Sequence, residues 1–196
     1  MQLLVLARHG RSQLNTLGLV NGDPALDQGL SDQGREEAEY LGAQMAGITI
    51  DLVLVSAFPR AEETARIALG TRHPGTPVVV DRELGDVRIG SLEGKTLQDY
   101  RDWKRGRSRD EPFPGGGESL NDAARRFASA YERILRRPER VILCVCHEIP
   151  VRYAVNMVSG SEQFDAPVHD IANATPYLFD EPGLERAVTR MRELAG

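Results

Sequence analysis

Two histidines, two arginines and a carboxylate are the residues of this chain whose types and placement can do chemistry together. His9 sits in Arg8-His9-Gly10, directly after the apolar run Leu3-Leu4-Val5-Leu6-Ala7. A short apolar run that stops abruptly in polar residues predicts a buried strand delivering those side chains to the edge of a sheet. Gly10 lets the backbone turn and approach a ligand closely. Arg8 supplies a planar fork suited to phosphate or carboxylate. A helix beginning between Ser12 and Leu19, with Asn15 in its first turn, would point free N–H groups at whatever His9 touches, and such groups favour an anion. Alone the tripeptide is weak evidence, because a His beside an Arg is commonly a surface pair. Its weight comes from partners elsewhere in the chain.

Those partners have to be carried by other elements. Asp51-Leu52-Val53-Leu54-Val55 reads as a second buried strand ending at Ser56, and Pro59-Arg60 opens a helix to about Leu69, with Pro59 tolerated in the first turn. Val78-Val79-Val80 is a third short strand, followed by a polar, glycine-punctuated loop from Asp81 to Gly94 that contains Glu83 and Asp86. Val141 to Cys146 is a fourth strand ending at His147. Ser31 caps a helix with Ala38, Leu41 and Met45 at helical spacing. Further helices are predicted over Thr96 to Arg105, Leu120 to Arg136 and Pro150 to Val158, and a strand over Ala174 to Phe179. Glu181-Pro182-Gly183 reads as a turn; Leu184 to Arg190 is ambiguous, since Glu185, Arg186 and Arg190 permit a helix and no clean alternation is present, and it is read here as an edge strand.

This strand–helix alternation predicts an α/β fold, a largely parallel sheet with helices on both faces. Ligands of such sheets bind outside the carboxyl ends of the strands. Arg8, His9, Arg60, Asp86 and His147 all fall there, on four different strands. Each has an ordinary alternative as a solvated charge or a satisfied strand-end side chain, but five at one rim by accident is the less economical account. Two arginines and two histidines against one carboxylate make a cationic cup that suits a dianion, and a phosphoryl group fits best. A neutral imidazole between guanidinium groups is a competent nucleophile, and a carboxylic acid can protonate the leaving alkoxide. There is no Gly-x-x-x-x-Gly-Lys-Ser/Thr and no His-Glu-x-x-His, so no cofactor and no metal is expected.

At 196 residues the chain is expected to be one domain, 1–196. Its 41% apolar and 27% charged residues exclude a disordered chain. With 24 Lys plus Arg against 29 Asp plus Glu, the formal net charge is -5, which argues against a nucleic-acid partner. No apolar run approaches the roughly 20 residues of a membrane span, so no membrane partner is expected. No secretory signal is visible. Cys144 and Cys146, the only cysteines, share one face of a strand and sit too close to bridge comfortably. Read with His147 as zinc ligands, they lack a second ligand cluster. Buried thiols fit better, and suit a cytoplasmic protein. A homodimer is compatible with the chain, although oligomeric state is not legible in it.

Leu6-Ala7-Arg8-His9-Gly10 with Ser12 and Asn15 resembles the signature of the histidine phosphatase superfamily, the phosphoglycerate-mutase-like proteins. The resemblance continues through Asn21-Gly22, Leu30-Ser31-x-x-Gly34-x-x-x-Ala38 and Ser56-x-x-x-Arg60-Ala61-x-x-Thr64-Ala65. It goes on through Leu84-x-Asp86-x-x-x-Gly90-x-x-Glu93-Gly94, Gly117-Glu118-Ser119, His147 and Asn173-Ala174, and so covers nearly the whole chain. It implies that His9 is the nucleophile, passing through a phosphohistidine. It implies that Arg8, Arg60 and His147 bind the phosphoryl group with Asn15 assisting, and that Asn21 and Gly22 belong to the substrate-binding set. It implies a three-layer α/β/α fold whose mostly parallel sheet is mixed, with an antiparallel strand near the C-terminus, which supports reading Leu184 to Arg190 as strand. Residues 95–116 then stand as a lid-like insertion.

Three positions depart from the family pattern. Arg11 follows His-Gly where an acid is usual. Asp86 occupies the acid position, where Glu is usual, with Glu83 as the alternative acid. Glu148 follows the second histidine where Gly is common, and its side chain is placed to restrict or repel substrate.

The activity implied is a phosphomonoesterase acting on a small phosphorylated metabolite, its one expected partner. The main rival is a cofactor-dependent phosphoglycerate mutase. Mutases of the family are typically longer, with a larger basic insertion. Arg101 through Arg109 here can bind a substrate carboxylate or second phosphate, or can be a solvated basic face. A phosphoprotein phosphatase and a non-catalytic phosphate-binding module rank lower. Specificity is expected to rest on Arg11, Arg88 and Tyr100 to Arg109.

Overall fold

The computed structural model describes residues 1–70 and 73–196. Five strands, β1 (Leu3–Arg8), β2 (Leu52–Val55), β3 (Val78–Val80), β4 (Val141–Cys146) and β5 (Pro176–Asp180), form one sheet in the order β3-β2-β4-β1-β5. β1 pairs parallel with β4, β4 with β2 and β2 with β3, while β5 runs antiparallel along β1. Leu4 to Ala7 and Ile142 to Cys146 are buried without interruption, as strands covered on both faces must be. Alternation then divides them between two apolar layers. Leu4, Leu6, Ile142, Cys144 and Cys146 pack with α5 (Leu120–Leu135), α6 (Glu148–Val158) and α7 (Glu181–Ala195). Val5, Ala7, Leu143 and Val145 pack on the opposite face with α2 (Asp32–Gln44) and α3 (Pro59–Leu69). The architecture is therefore α/β/α in three layers around a mostly parallel mixed sheet. Cys144 and Cys146 are free, buried thiols of the first layer.

The C-terminus corrects one expectation. Residues 184–190 are not an edge strand but lie within α7, and the antiparallel strand is β5, one element earlier. Asp180 caps α7 through its Oδ1, which accepts from the Gly183 N–H at 2.8 Å, and Pro182 stands in the first turn. Leu184, Ala187, Val188, Met191 and Ala195 are buried, which is the stripe of a 3.6-residue period. A window closing at Arg190 sees only part of that stripe. Glu181-Pro182-Gly183 is thus the opening turn of a helix rather than a reverse turn.

The loop after β1 is held by glycines that meet backbone to backbone. A Cβ on Gly10 would lie 2.3 Å from the Gly34 carbonyl oxygen, and one on Gly34 would lie 2.1 Å from the Arg11 carbonyl oxygen. Ser31 closes the same contact, its Oγ capping the Gly34 N–H at 3.1 Å and donating to the Arg11 carbonyl at 3.0 Å. Gly10→Ala is therefore expected to destabilise the fold by about 1–3 kcal/mol, read as a fall in thermal midpoint, since neither backbone can yield without moving His9.

Past the Asp81–Gly94 loop, α4 (Leu97–Lys104) is opened by a Thr96–Asp99 capping box. Tyr100 and Trp103 of this helix stack on Phe113, with centroids 5.5 and 4.2 Å apart. The segment is thereby folded over its own loop. Among the described residues no helix is long and apolar enough to cross a membrane.

Candidate active site

A cavity of about 680 Å³ opens beyond the carboxyl ends of β1, β2 and β4. Arg8 closes β1 and His9 follows it; Arg60 stands in the first turn of α3 after β2; His147 follows β4 and is the residue before α6. Asp86 comes from the loop after β3. The rings of His9 and His147 lie 5.2 Å apart, centroid to centroid, at 64°. His9 and His147 are fully buried, and so is Arg60 between them.

Arg60 organises the centre. Its Nε donates to His9 Nε2 at 3.0 Å and its Nη2 to His147 Nδ1 at 3.1 Å. Nη1 donates to Asn21 Oδ1 at 2.6 Å, and Nη2 to the Asn21 carbonyl at 3.0 Å. Asp27 holds it from behind, through the Arg60 backbone N–H at 2.8 Å and through Nη1 at 3.3 Å, with the Asp27 side chain fully buried. This pattern assigns the tautomers. His9 Nδ1–H donates to the Gly10 carbonyl at 2.7 Å, leaving Nε2 as the lone-pair atom. His147 accepts at Nδ1, so its Nε2–H donates to Ser56 Oγ at 2.8 Å.

Both imidazoles are held neutral. Burial, and then the charges of Arg60 and Arg8, push the His9 pKa well below its ordinary value. Burial and Arg60 do the same to His147. Asp86 moves the other way: desolvation raises its pKa against the pull of Arg60. Its Oδ2 lies 3.5 Å from Arg60 Nη2 and 3.6 Å from His147 Nδ1. Glu83, the alternative acid, is exposed outside the cavity. The Asp86 loop is clamped by Arg126, which donates to the carbonyls of Glu83, Gly85 and Asp86 at 2.7, 2.9 and 3.0 Å. Buried Glu118 pairs with Arg126 and accepts from the Arg88 N–H at 3.0 Å.

Three expectations change here. The cup is less positive than two arginines against one acid, because Asp27 offsets Arg60 and Glu148 lies 3.1 Å from Arg8 Nη1. Buried guanidinium groups need such counter-charges. The helix after His9, α1 (Gln13–Thr16), is a single turn in which the Gln13, Asn15 and Thr16 N–H groups are spent. Gln13 donates to Gly29 at 3.0 Å, Asn15 to Ser12 Oγ at 3.1 Å, and the Arg11 N–H to Glu37 at 2.7 Å. Arg88 pairs with Glu118 at 2.8 Å, away from the cavity.

Asn15, Asn21 and Gly22 line the cavity, with different demands on them. Asn15 Oδ1 is committed to the Ser12 N–H at 3.2 Å. Asn21 orients Arg60, and the Gly22 N–H goes to Glu93 at 2.8 Å. Asp27, Ser56, Thr64, Arg126 and Asn173 support the site without having been marked as site residues. Thr64 Oγ1 accepts from the Gly10 N–H at 2.9 Å, and Asn173 Nδ2 donates to the His9 carbonyl at 2.7 Å. Ser56, Thr64 and Asn173 stood inside matching motifs; Asp27 carried no signal.

The donor set fits an anion. Arg8 Nε is buried and has no hydrogen-bond partner among the described residues. Such a group requires a ligand or solvent partner.

Comparison with known proteins agrees. The model of the histidine phosphatase superfamily (branch 1) matches residues 4–192. A Parvibaculum lavamentivorans protein named 2,3-bisphosphoglycerate-dependent phosphoglycerate mutase is 34% identical over 194 residues, covering 91% of this chain and 90% of its own. The match spans nearly all of both, so chain length does not separate the two activities. The alpha-ribazole phosphatase of Shigella flexneri superposes with TM-score 0.76 at 26% identity over 91% of this chain and 90% of its own. A mycobacterial glucosyl-3-phosphoglycerate phosphatase superposes with TM-score 0.69 at 26% identity over 91% and 92%. The chain belongs to the histidine phosphatase superfamily.

Proposed function

We propose that this protein is a phosphomonoesterase that hydrolyses a small phosphorylated metabolite through a phosphohistidine on His9. The observation that carries the reading is the lone pair of a buried neutral imidazole, His9 Nε2, held 3.0 Å from the Arg60 guanidinium. Arg8 and Arg60 bind the phosphoryl oxygens, His147 joins them once its proton sits on Nδ1 and its Nε2 accepts from the Ser56 hydroxyl instead, and Asn15 offers the Nδ2 that its capping contact leaves unused. His9 Nε2 attacks phosphorus in line as the bond to the leaving oxygen breaks, and the Asp86 carboxyl gives that oxygen its proton. Asp86 carboxylate then takes a proton from water, which attacks phosphorus. The P–N bond breaks, phosphate leaves and His9 is restored. Nδ1–H stays on the Gly10 carbonyl throughout and fixes the ring. Residues 95–116 act as the lid of a single domain.

The basic lid favours hydrolysis over phosphoryl return. Arg105 pairs with Asp102 at 3.0 Å, Arg107 with Glu111, and Lys104 and Arg109 with Asp165 at 3.1 and 3.0 Å. Of the cations between Arg101 and Arg109, only Arg101 lines the cavity without an acidic partner among the described residues. A mutase has to grip a second anionic group, and little is left here to do so. The names of curated relatives favour the mutase reading, so the deciding assay follows 3-phosphoglycerate: free phosphate supports the phosphatase and isomer formation the mutase. A panel of phosphorylated metabolites then ranks substrates.

Protonation sets the pH profile. Asp86 has to be protonated to give its proton, and His9, with its depressed pKa, remains a free base into mild acid. Hydrolysis of an alkyl phosphate such as glycerol 3-phosphate, in the presence of chelator, is expected to be faster at about pH 5.5 than at about pH 8. With an alkyl phosphate, whose leaving group needs the proton, Asp86→Asn is expected to cost about 10²–10⁴-fold and to erase the alkaline limb. An unchanged profile in Asp86→Asn removes it as the acid.

A further inference from the structure

We infer that Glu148 makes this site discriminate against esters carrying a carboxylate, or another second anion, next to the scissile phosphate; the inference rests on the phosphatase reading above. Glu148 follows His147 directly and opens α6, and it lines the cavity. Its Oε2 lies 3.1 Å from Arg8 Nη1, and its Oε1 lies 2.6 Å from Arg152 Nη1. Arg152 is itself committed to Asp165 at 2.9 Å, and Asp165 also takes Lys104 and Arg109. Every cation on this wall is thus already paired. When a phosphoryl group engages Arg8, Glu148 keeps Arg152 and stays as a fixed negative charge beside it.

The charge faces the start of the leaving group. Asp86 protonates the leaving oxygen, and Glu148 is close enough to push the Asp86 pKa upward. A carboxylate one or two carbons from that oxygen meets Glu148 at short range, where like charges repel. The cations without an acidic partner among the described residues, exposed Arg101 and half-buried Arg11, stand on α4 and on the loop after β1 and line the same cavity. The exclusion is therefore short-ranged, and an anion farther along the substrate is tolerated. An acid serving only as an i,i+4 partner of Arg152 would stabilise α6 without sorting substrates.

Glycerol 3-phosphate and 3-phosphoglycerate form the matched probes, differing by a hydroxymethyl against a carboxylate. Each is measured as a competitor of p-nitrophenyl phosphate hydrolysis. The wild type is expected to bind glycerol 3-phosphate about tenfold tighter or more. Glu148→Gln is expected to bring the two within about twofold, and Glu148→Asp to keep the preference. Equal binding or preference for the carboxylate by the wild type overturns the inference, as does an unchanged ratio in Glu148→Gln. The wild-type comparison, repeated with 2-hydroxyethyl phosphate and 2-phosphoglycolate, decides the matter even where Glu148→Gln does not fold. Failure of the wild type to release phosphate from any ester sinks the phosphatase reading alone. The same probes are then titrated calorimetrically, and their order still judges Glu148.

Discussion

His9→Ala is expected to lower turnover of p-nitrophenyl phosphate by about 10⁴-fold or more, since it removes the atom that takes the phosphoryl group. Brief exposure of the wild type to a radiolabelled phosphomonoester should leave acid-labile, base-stable label on the protein, as a P–N bond requires, and His9→Ala should leave none. The fold should survive. His9 leads out of β1, where the pairing with β4 is already complete at Arg8 opposite Cys146. Label retained in His9→Ala, or turnover close to wild type, transfers the nucleophile's role elsewhere. His147 is the nearest other imidazole, and unlike His9 it does not line the cavity.

Arg60→Lys is expected to be nearly as damaging, although the charge is kept. A lysine ammonium cannot reach His9, His147, both groups of Asn21 and Asp27 at once, because it lacks the planar fork. We expect kcat/KM to fall by about 10²–10³-fold. Arg60→Met goes further, because it strands the fully buried Asp27 carboxylate. That should cost about 3–5 kcal/mol in unfolding free energy. Adding Asp27→Asn to Arg60→Met should recover much of the stability and none of the activity. Separate recovery of the two quantities distinguishes the counter-ion's structural work from the guanidinium's chemical work. Recovery of activity in the double variant counts against Arg60 as a phosphoryl ligand.

What the sequence disclosed, and what it withheld, follows from where each signal lives. His9, Arg60, Asp86 and His147 could be placed at one rim because a strand end is a local event, marked where an apolar run stops. The rule that ligands gather at carboxyl ends did the rest. The counter-charges were hidden. Asp27 meets Arg60 across 33 residues and Ser56 meets His147 across 91. No local spacing encodes such pairs, so the cup looked more cationic than it is. The turn after Ser12 misled for the opposite reason: local propensity favoured a helix, but tertiary acceptors at Gly29 and Glu37 took its N–H groups. α7 was missed because its stripe leans on Ala187, Met191 and Ala195, small or unbranched residues that weigh little beside the charges between them.

Asn173 and Ile171 reach back to the first strand, and the time this takes is itself a constraint. The contact from Asn173 to the His9 carbonyl joins positions 164 residues apart, and that from Arg8 to the Ile171 carbonyl joins positions 163 apart. A ribosome takes about ten to thirty seconds to span that interval. For most of it the Leu3–Ala7 segment is made and waiting, since β4 arrives only at Val141–Cys146 and β5 only after the interval has closed. The nascent N-terminus is therefore the stretch where a holdase gains most, and the anion pocket is among the last features of the molecule to close.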